Sequence, residues 1–158
     1  MISIDIPGRD APLVIDALVL DYNGTIAADG KLIKGVPERI RALSEQVDVY
    51  VLTADTYGTV QAQCEPLGVH VKTFPHEGAA VCKDEIVMGL MKDQKVCAVG
   101  NGFNDIQMMD RADFAIAVLD AEGMYAGLPA HAEVLVKSAQ DALDLLLKPD
   151  RLRATLRN

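Results

Sequence analysis

The sequence predicts an α/β fold, a doubly wound and mostly parallel sheet, on three observations. Short apolar runs of strand length alternate at least five times with segments whose apolar residues fall at helical spacing. The connections between them are short, as they are when each strand hands on to a helix packed against the same sheet. The polar residues that stand out, Asp21, Thr53, Asp55, Asn101 and Asp105, follow closely on the apolar runs. They would gather at the carboxyl edge of the sheet, where open α/β sheets hold their ligands.

Met1 to Ile6 alternates apolar and polar side chains and stops at Pro7-Gly8, which reads as a short edge strand with an antiparallel neighbour. Residues 13 to 21 are the first central strand, with Pro12 and Asp16 obscuring its start. This strand delivers the carboxylate of Asp21 into a turn marked by Asn23 and Gly24. Between 24 and 36 an Asp-Gly pair signals a hairpin, a small flap over the strand end. Pro37 opens a helix at its favoured first turn, with Ile40, Leu43 and Val47 at helical spacing. Residues 48 to 53 are the next strand, and a helix around 58 to 67 ends at Gly68. Val69 to Phe74 is a third strand ending at Pro75. Within 79 to 91, Cys82, Ile86, Val87, Leu90 and Met91 share one helical stripe, with Lys83 at its edge. Val96 to Val99 is the fourth strand, followed by a glycine turn and a helix through Met109. Phe114 to Leu119 and Ala132 to Val136 are the fifth and sixth strands. A closing helix starts near Ser138, capped with Asp141 three residues on, and breaks or kinks at Pro149.

At 158 residues the chain is expected to form one domain, residues 1–158, with no need of disulfides or a structural metal. Such a domain buries roughly two thirds of its unfolded surface. Half of the residues are hydrophobic but only 4% aromatic, so the core must be Val, Leu, Ile, Ala and Met, as suits a parallel sheet covered by helices. A net charge of -8 would repel a nucleic-acid backbone or an anionic membrane, and neither is an expected partner. Cys64, Cys82 and Cys97 fall at unrelated spacings without a Cys-x-x-Cys pair, and read as reduced core residues of a cytoplasmic protein. No basic start leads into an apolar run, and nothing approaches the ~20 apolar residues of a membrane span. The expectation is a soluble, unprocessed protein.

Gly100 to Asp105 places Gly-x-Gly between a strand and a helix, but Asp105 stands where a dinucleotide fingerprint needs its third glycine. A carboxylate there would repel a pyrophosphate, so a cation is the better partner. Asp21, Asn101 and Asp105 supply hard oxygens of the kind magnesium takes. Each candidate also has a plainer reading. Asn104 and Asp105 could cap a helix, Thr53 could simply close a strand, and Asp55 could cap the helix after it. Lys83 could be a solvated first-turn lysine, with Lys92 and Lys95 competing if the register is shifted.

Taken in order, Asp-x-x-Gly-Thr at 21–25, Leu-Thr-Ala-Asp at 52–55, a lysine at 83 and Gly-Asn-Gly-x-Asn-Asp at 100–105 resemble the haloacid dehalogenase (HAD) superfamily. The likeness is strongest to the phosphorylation domain of P-type ATPases, where Asp-Lys-Thr-Gly-Thr, Thr-Gly-Asp and Gly-Asp-Gly-x-Asn-Asp occur in this order. Small soluble P-type ATPase-like phosphatases are similar over the whole length. The resemblance implies a Rossmann-like, HAD-like sheet without a cap domain and a magnesium-dependent phosphohydrolase. Asp21 would be the nucleophile that forms an aspartyl phosphate. Magnesium (Mg2+) would be held by Asp21, the backbone carbonyl of Asn23, and Asp105, with Asn101 or Asn104 assisting. Thr53 would donate to a phosphoryl oxygen with Ala54 beside it, Lys83 would compensate charge, and Thr25 would shape the turn.

The chain departs from the pattern at two residues. Phosphatases of the superfamily usually carry an aspartate two residues after the nucleophile, as acid for the leaving group and base for water; here that position is Asn23. An amide cannot exchange a proton near neutral pH, so a contribution of about 10²–10⁴-fold is missing or supplied elsewhere. Slow hydrolysis of the aspartyl phosphate is expected, with acyl phosphates, aryl phosphates and phosphoanhydrides preferred over sugar phosphates. Asn101 replaces a common aspartate and should weaken magnesium binding.

Caps are inserted after the first or third strand, where this chain has only residues 22 to 36 and 75 to 79. An uncapped site suits a phosphoprotein, or a phosphorylated small molecule enclosed by a neighbouring subunit. The strand at 1 to 6 could serve a homo-oligomer. With no nucleotide-binding domain or membrane region in these residues, ion pumping is not expected of them. The second reading, favoured by Asn23 and Asn101, is a phosphate-binding or phosphoacceptor regulatory protein with negligible turnover. A response-regulator receiver would need its aspartate after the third strand, where Phe74-Pro75 stands. His70, His76 and His131 are scattered and read as surface or loop residues.

Overall fold

The computed structural model describes residues 1–55 and 58–158. Strands β1 (Ile2–Ile4) and β2 (Leu13–Ile15) form an antiparallel ribbon of their own, with Ile2 opposite Ile15 and Ile4 opposite Leu13. Two expectations are thereby corrected. Residues 1–6 have the antiparallel neighbour expected of them but lie in this ribbon rather than at the edge of the main sheet, and 13–21 is not one strand. Asp16 is the physical reason: its carboxylate accepts the Lys95 N–H at 2.9 Å, and its carbonyl accepts the Asp48 N–H at 3.0 Å. The chain therefore turns there, and β3 (Ala17–Asp21) begins as a separate strand buried along its whole length.

The expected flap is a hairpin of β4 (Ala27–Ala28) and β5 (Lys31–Leu32), with Asp29 at φ 52° and Gly30 at φ 77°. Two positive φ values at the tip are what a two-residue hairpin turn requires. The Tyr22 hydroxyl donates to the Gly30 carbonyl at 2.9 Å and ties the hairpin to the end of β3. Helix α1 (Val36–Ser44) carries Pro37 in its first turn and buries Val36, Ile40 and Leu43. After β6 (Asp48–Thr53) come α2 (Thr59–Cys64) and a tighter turn, Glu65–Leu67, that stops at Gly68. The chain continues through β7 (His70–Thr73), α3 (Ala79–Leu90), β8 (Val96–Gly100), α4 (Ile106–Arg111), β9 (Phe114–Val118) and β10 (Val134–Val136). Helices α5 (Ala139–Leu147) and α6 (Pro149–Leu156) close it, divided at Pro149 as expected. The Ser138 hydroxyl accepts the Asp141 N–H at 3.0 Å and caps α5.

Six parallel strands lie in the order β10-β9-β8-β3-β6-β7. From β3 the chain moves outward through β6 and β7, then returns to β8 on the other side. Asp21 thus ends the strand at which the winding reverses, the place where such sheets open a crevice at their carboxyl ends. Along β3, Leu18 and Leu20 enter one apolar cluster while Ala17 and Val19 enter another. Both faces are covered, which is why this strand reads as an unbroken apolar run rather than an alternating one. Among the described residues no helix is long and apolar enough to cross a membrane.

Candidate active site

Lys83 organises the site. The apolar stripe placed it at the edge of α3's packed face, but the residues that α3 buries are Ala79, Lys83 and Val87, and the lysine is only 3% exposed. Successive i, i+4 positions share one helical face, and that face looks toward the end of β3. The Lys83 ammonium donates to Asp21 Oδ1 at 2.8 Å, Asn104 Oδ1 at 2.8 Å and Asp105 Oδ1 at 2.7 Å. Its three protons meet three acceptors. The competing lysines lie elsewhere, Lys92 exposed beyond α3 and Lys95 paired with Asp113.

Asp105 is fully buried, and its Oδ2 accepts the N–H groups of Asn101 at 3.1 Å and Gly102 at 2.9 Å. It caps the glycine turn and faces Lys83 at once, so its two readings hold together. Gly100 makes this possible, since a Cβ there would lie 2.6 Å from Asp105 Cγ. Asp55 is the cap the sequence suggested, accepting the Thr59 hydroxyl at 2.6 Å and the Val60 N–H at 3.0 Å. Thr53 is buried, and its Oγ1 accepts the Asp55 N–H at 3.1 Å, which leaves the hydroxyl proton to point at another acceptor.

Thr25 is buried between the two loops, with Oγ1 3.0 Å from both Asp21 Oδ2 and Asn101 Oδ1. One hydroxyl proton can serve only one of these oxygens at a time. Gly24 lies beside them at φ +80°, and a Cβ there would collide with the Asn101 amide. Asn101 is tied outward as well: its Nδ2 donates to the Gly123 carbonyl at 3.0 Å, and its own carbonyl accepts the Tyr125 N–H at 2.8 Å.

Burial pushes the Asp21 carboxyl up to about 7, with the charge of Asp105 acting in the same direction and the contacts from Lys83 and Thr25 opposing. Burial works against the Lys83 ammonium, but Asp21 and Asp105 outweigh it and hold its pKa above the ordinary lysine value. With both carboxylates ionised, the Asp21–Asp105–Lys83 cluster lacks one positive charge. That deficit, and the oxygen left without Thr25's proton, fit a divalent cation. No group of three His, Cys, Asp or Glu able to hold a metal occurs among the described residues. A cation here would draw on carboxylate, amide and carbonyl oxygens and complete its shell with water or phosphate, as magnesium does.

A cavity of about 480 Å³ opens beside Asp21, bordered by Asn23, Thr53, Ala54, Lys83 and Asn101. Every site residue expected from the sequence therefore lies on this cavity except Asp105, which sits buried behind Lys83. Phe74, His76 and Phe103 complete the wall, and sequence reasoning passed over all three. Phe103 was only the variable position of the glycine turn, and its signal was an aromatic side chain in a loop of a chain that has few. His76 is exposed, as expected, yet on the cavity; His70 stacks on Tyr50 and His131 pairs with Asp110.

No protein-family model matches the chain. It is 26% identical over 143 residues to a soluble P-type ATPase-like phosphatase of Methanocaldococcus jannaschii, a match covering 89% of this chain and 52% of that protein. The chain thus spans about half the phosphatase's length. An uncharacterized protein of the same organism is 38% identical over 81 residues, 49% of this chain and 87% of its own length. Among solved structures, the 3-deoxy-D-manno-octulosonate 8-phosphate phosphatase of Moraxella catarrhalis, determined with magnesium, phosphate and the sugar, shares the fold. Its TM-score is 0.69 over 90% of this chain and 94% of that one, at 14% identity.

The winding of the sheet and the acid–lysine cluster at its switch point define a haloacid dehalogenase-like α/β protein. The chain has the haloacid dehalogenase-like fold, shared with solved structures of that superfamily. The chain is similar to a soluble P-type ATPase-like phosphatase, in keeping with its motifs.

Proposed function

We propose that the chain is a magnesium-dependent phosphohydrolase that works through an aspartyl phosphate on Asp21. The observation that carries this reading is the Lys83 ammonium, held 2.8 Å from Asp21 Oδ1 and 2.7 Å from Asp105 Oδ1 at the edge of the cavity. It orients the nucleophile and faces the place where phosphate charge would build up. An Asp21 oxygen attacks phosphorus, the bond from phosphorus to the leaving oxygen breaks, and the electron pair departs with the leaving group. Thr53 donates its hydroxyl proton to a phosphoryl oxygen. Magnesium held by Asp21, the Asn23 carbonyl and Asn101 would supply charge that offsets the repulsion between carboxylate and phosphate, whereas Asp105, expected as a ligand, is buried off the cavity with Oδ1 taken by Lys83 and Oδ2 by two N–H groups. Water then attacks the phosphorus of phospho-Asp21, releasing phosphate and the free carboxylate. With Asn23 on the cavity wall, no carboxylate at that position carries the proton for either step, and the second should be slow.

That same asparagine favours the second reading, a phosphoacceptor that holds its phosphoryl group as a signal. Mass spectrometry after incubation with magnesium and acetyl phosphate, with inorganic phosphate followed in time, tests both. The expected result is a phosphoryl adduct on the peptide carrying Asp21, decaying slowly and absent in Asp21→Asn. Persistence of the adduct without measurable phosphate release would favour the phosphoacceptor. Neither adduct nor phosphate at high donor and magnesium would end both readings.

A further inference from the structure

We propose that the mouth of this site is a subsite for an aromatic leaving group, so that the substrates it takes are aryl phosphates. The inference rests on the Asp21 reading and names its substrate class. Phe103 is 67% exposed and Tyr125 43% exposed. Their rings meet edge to face, with centroids 5.0 Å apart and planes at 88°. Such a pair leaves ring faces open to a third ring; Phe103 lines the cavity and Tyr125 supports it from beside.

Phe103 is mounted on the glycine turn that follows β8, and Tyr125 on the loop after β9 that is hydrogen-bonded to that turn. Phe103 sits between Gly102, whose N–H is bonded to Asp105, and Asn104, whose Oδ1 accepts from Lys83. Tyr125 donates its backbone N–H to the Asn101 carbonyl at 2.8 Å, and Asn101 holds the Gly123 carbonyl of the same loop. Gly127 leaves room for the tyrosine, since a Cβ there would lie 2.7 Å from its ring. The two segments that carry the rings are therefore tied to each other by hydrogen bonds through Asn101. Phe74 and His76 add further planar groups to the cavity, and about 480 Å³ exceeds what a phosphoryl group alone needs.

Leaving-group chemistry points the same way independently. Asn23 cannot protonate a departing oxygen, which penalises alcohols, whereas a phenol has a pKa of about 10 and departs as its anion. Acyl phosphates and anhydrides also leave without a proton, but an acetyl group offers no ring to the Phe103–Tyr125 pair. In the step proposed, the Asp21 oxygen forms its bond to phosphorus as the aryl C–O–P linkage breaks at the P–O bond. The phenolate leaves with the electron pair and takes a proton from water.

The test compares phenyl phosphate with acetyl phosphate in the wild type, Phe103→Ala, Tyr125→Ala and Phe103→Tyr, measuring KM and kcat with magnesium present. Phe103→Ala should raise KM for phenyl phosphate about tenfold more than it changes KM for acetyl phosphate, the size expected for loss of one ring contact. Tyr125→Ala should act in the same direction, and Phe103→Tyr should restore the preference. Equal changes for the two donors would overturn the subsite while leaving the Asp21 reading intact. Turnover of neither donor by the wild type would remove the Asp21 reading, and the subsite with it.

Discussion

Asp21→Asn should make the metal-free protein more stable relative to wild type as the pH rises. In the native state burial and Asp105 hold the Asp21 carboxyl up at about 7, against an ordinary value of 3.8. A raised native pKa means that the folded protein binds this proton more tightly than the unfolded chain does. The resulting stabilisation is full below the unfolded value and is lost as the pH climbs through the folded one. A native value of about 7 against 3.8 corresponds to a loss of up to about 4 kcal/mol, more than half of it between pH 5 and pH 8. Asparagine has no such proton. Its Oδ1 can accept from Lys83, its Nδ2 can donate to Thr25, and the Thr25 hydroxyl is then released to serve Asn101 Oδ1.

Urea unfolding of both proteins in chelator, at pH values from 5 to 8, measures this directly. Subtracting the variant from the wild type at each pH cancels the titration of groups that do not interact with Asp21. The wild type should lose about 2–3 kcal/mol of stability against Asp21→Asn across the range. Saturating magnesium at pH 8 should return most of that loss to the wild type and little to the variant, because the cation binds the ionised carboxylate. A difference that stays flat with pH would refute the claim that Asp21 is an under-compensated buried acid.

Lys83→Met should leave Asp21 and Asp105 facing each other in a buried site without a counter-ion. A fall of about 3–5 kcal/mol in unfolding free energy at pH 8 is expected, together with loss of the phosphoryl adduct. Asn23→Asp restores a proton carrier and should speed decay of the aspartyl phosphate by about 10²–10⁴-fold in single-turnover phosphate release; unchanged decay would show that proton transfer does not limit it. Asn101→Asp exchanges the donor that holds the Gly123 carbonyl for an acceptor, at a cost of about 1–3 kcal/mol in chelator. Calorimetric titration of the same variant should show tighter magnesium binding, and weaker binding would contradict the charge account of the site.

The parts of the fold that were legible in the sequence are those that local chemistry decides. The apolar run of β3, the Asp29-Gly30 hairpin, Pro37 in the first turn of α1 and Ser138 at the start of α5 all follow from contacts within a few residues. Asp16 was ambiguous because what ends β2 there is a contact with Lys95, far along the chain. Lys83 was misplaced for a related reason. Hydropathy assigns a lysine to the solvent side of a helix, and only Asp21 and Asp105, supplied by two other elements, make its burial tolerable. Motif order brought the acids and the lysine together correctly. The aromatic side of the cavity had no such signature, since Phe103 and Tyr125 lie in loops where neither helical nor strand periodicity marks a residue as meaningful.

Asn101 also explains itself better in three dimensions than as a lost ligand. An aspartate there would leave the Gly123 carbonyl without its donor and set a third carboxylate close to Asp21, whose ionisation is already opposed by burial and by Asp105. With one lysine to balance them, three acids would leave the metal-free cluster two positive charges short instead of one. The amide therefore ties the Tyr125 loop to the glycine turn and lowers the electrostatic strain of the metal-free site, and weaker demand for a cation is the consequence. Asn23 removes a charge from the same cavity at the place where a proton would be exchanged. On the proposed chemistry, both residues leave formation of the aspartyl phosphate to Asp21, Thr53 and Lys83, which are all in place. They slow its loss, and so favour substrates whose leaving groups need no help.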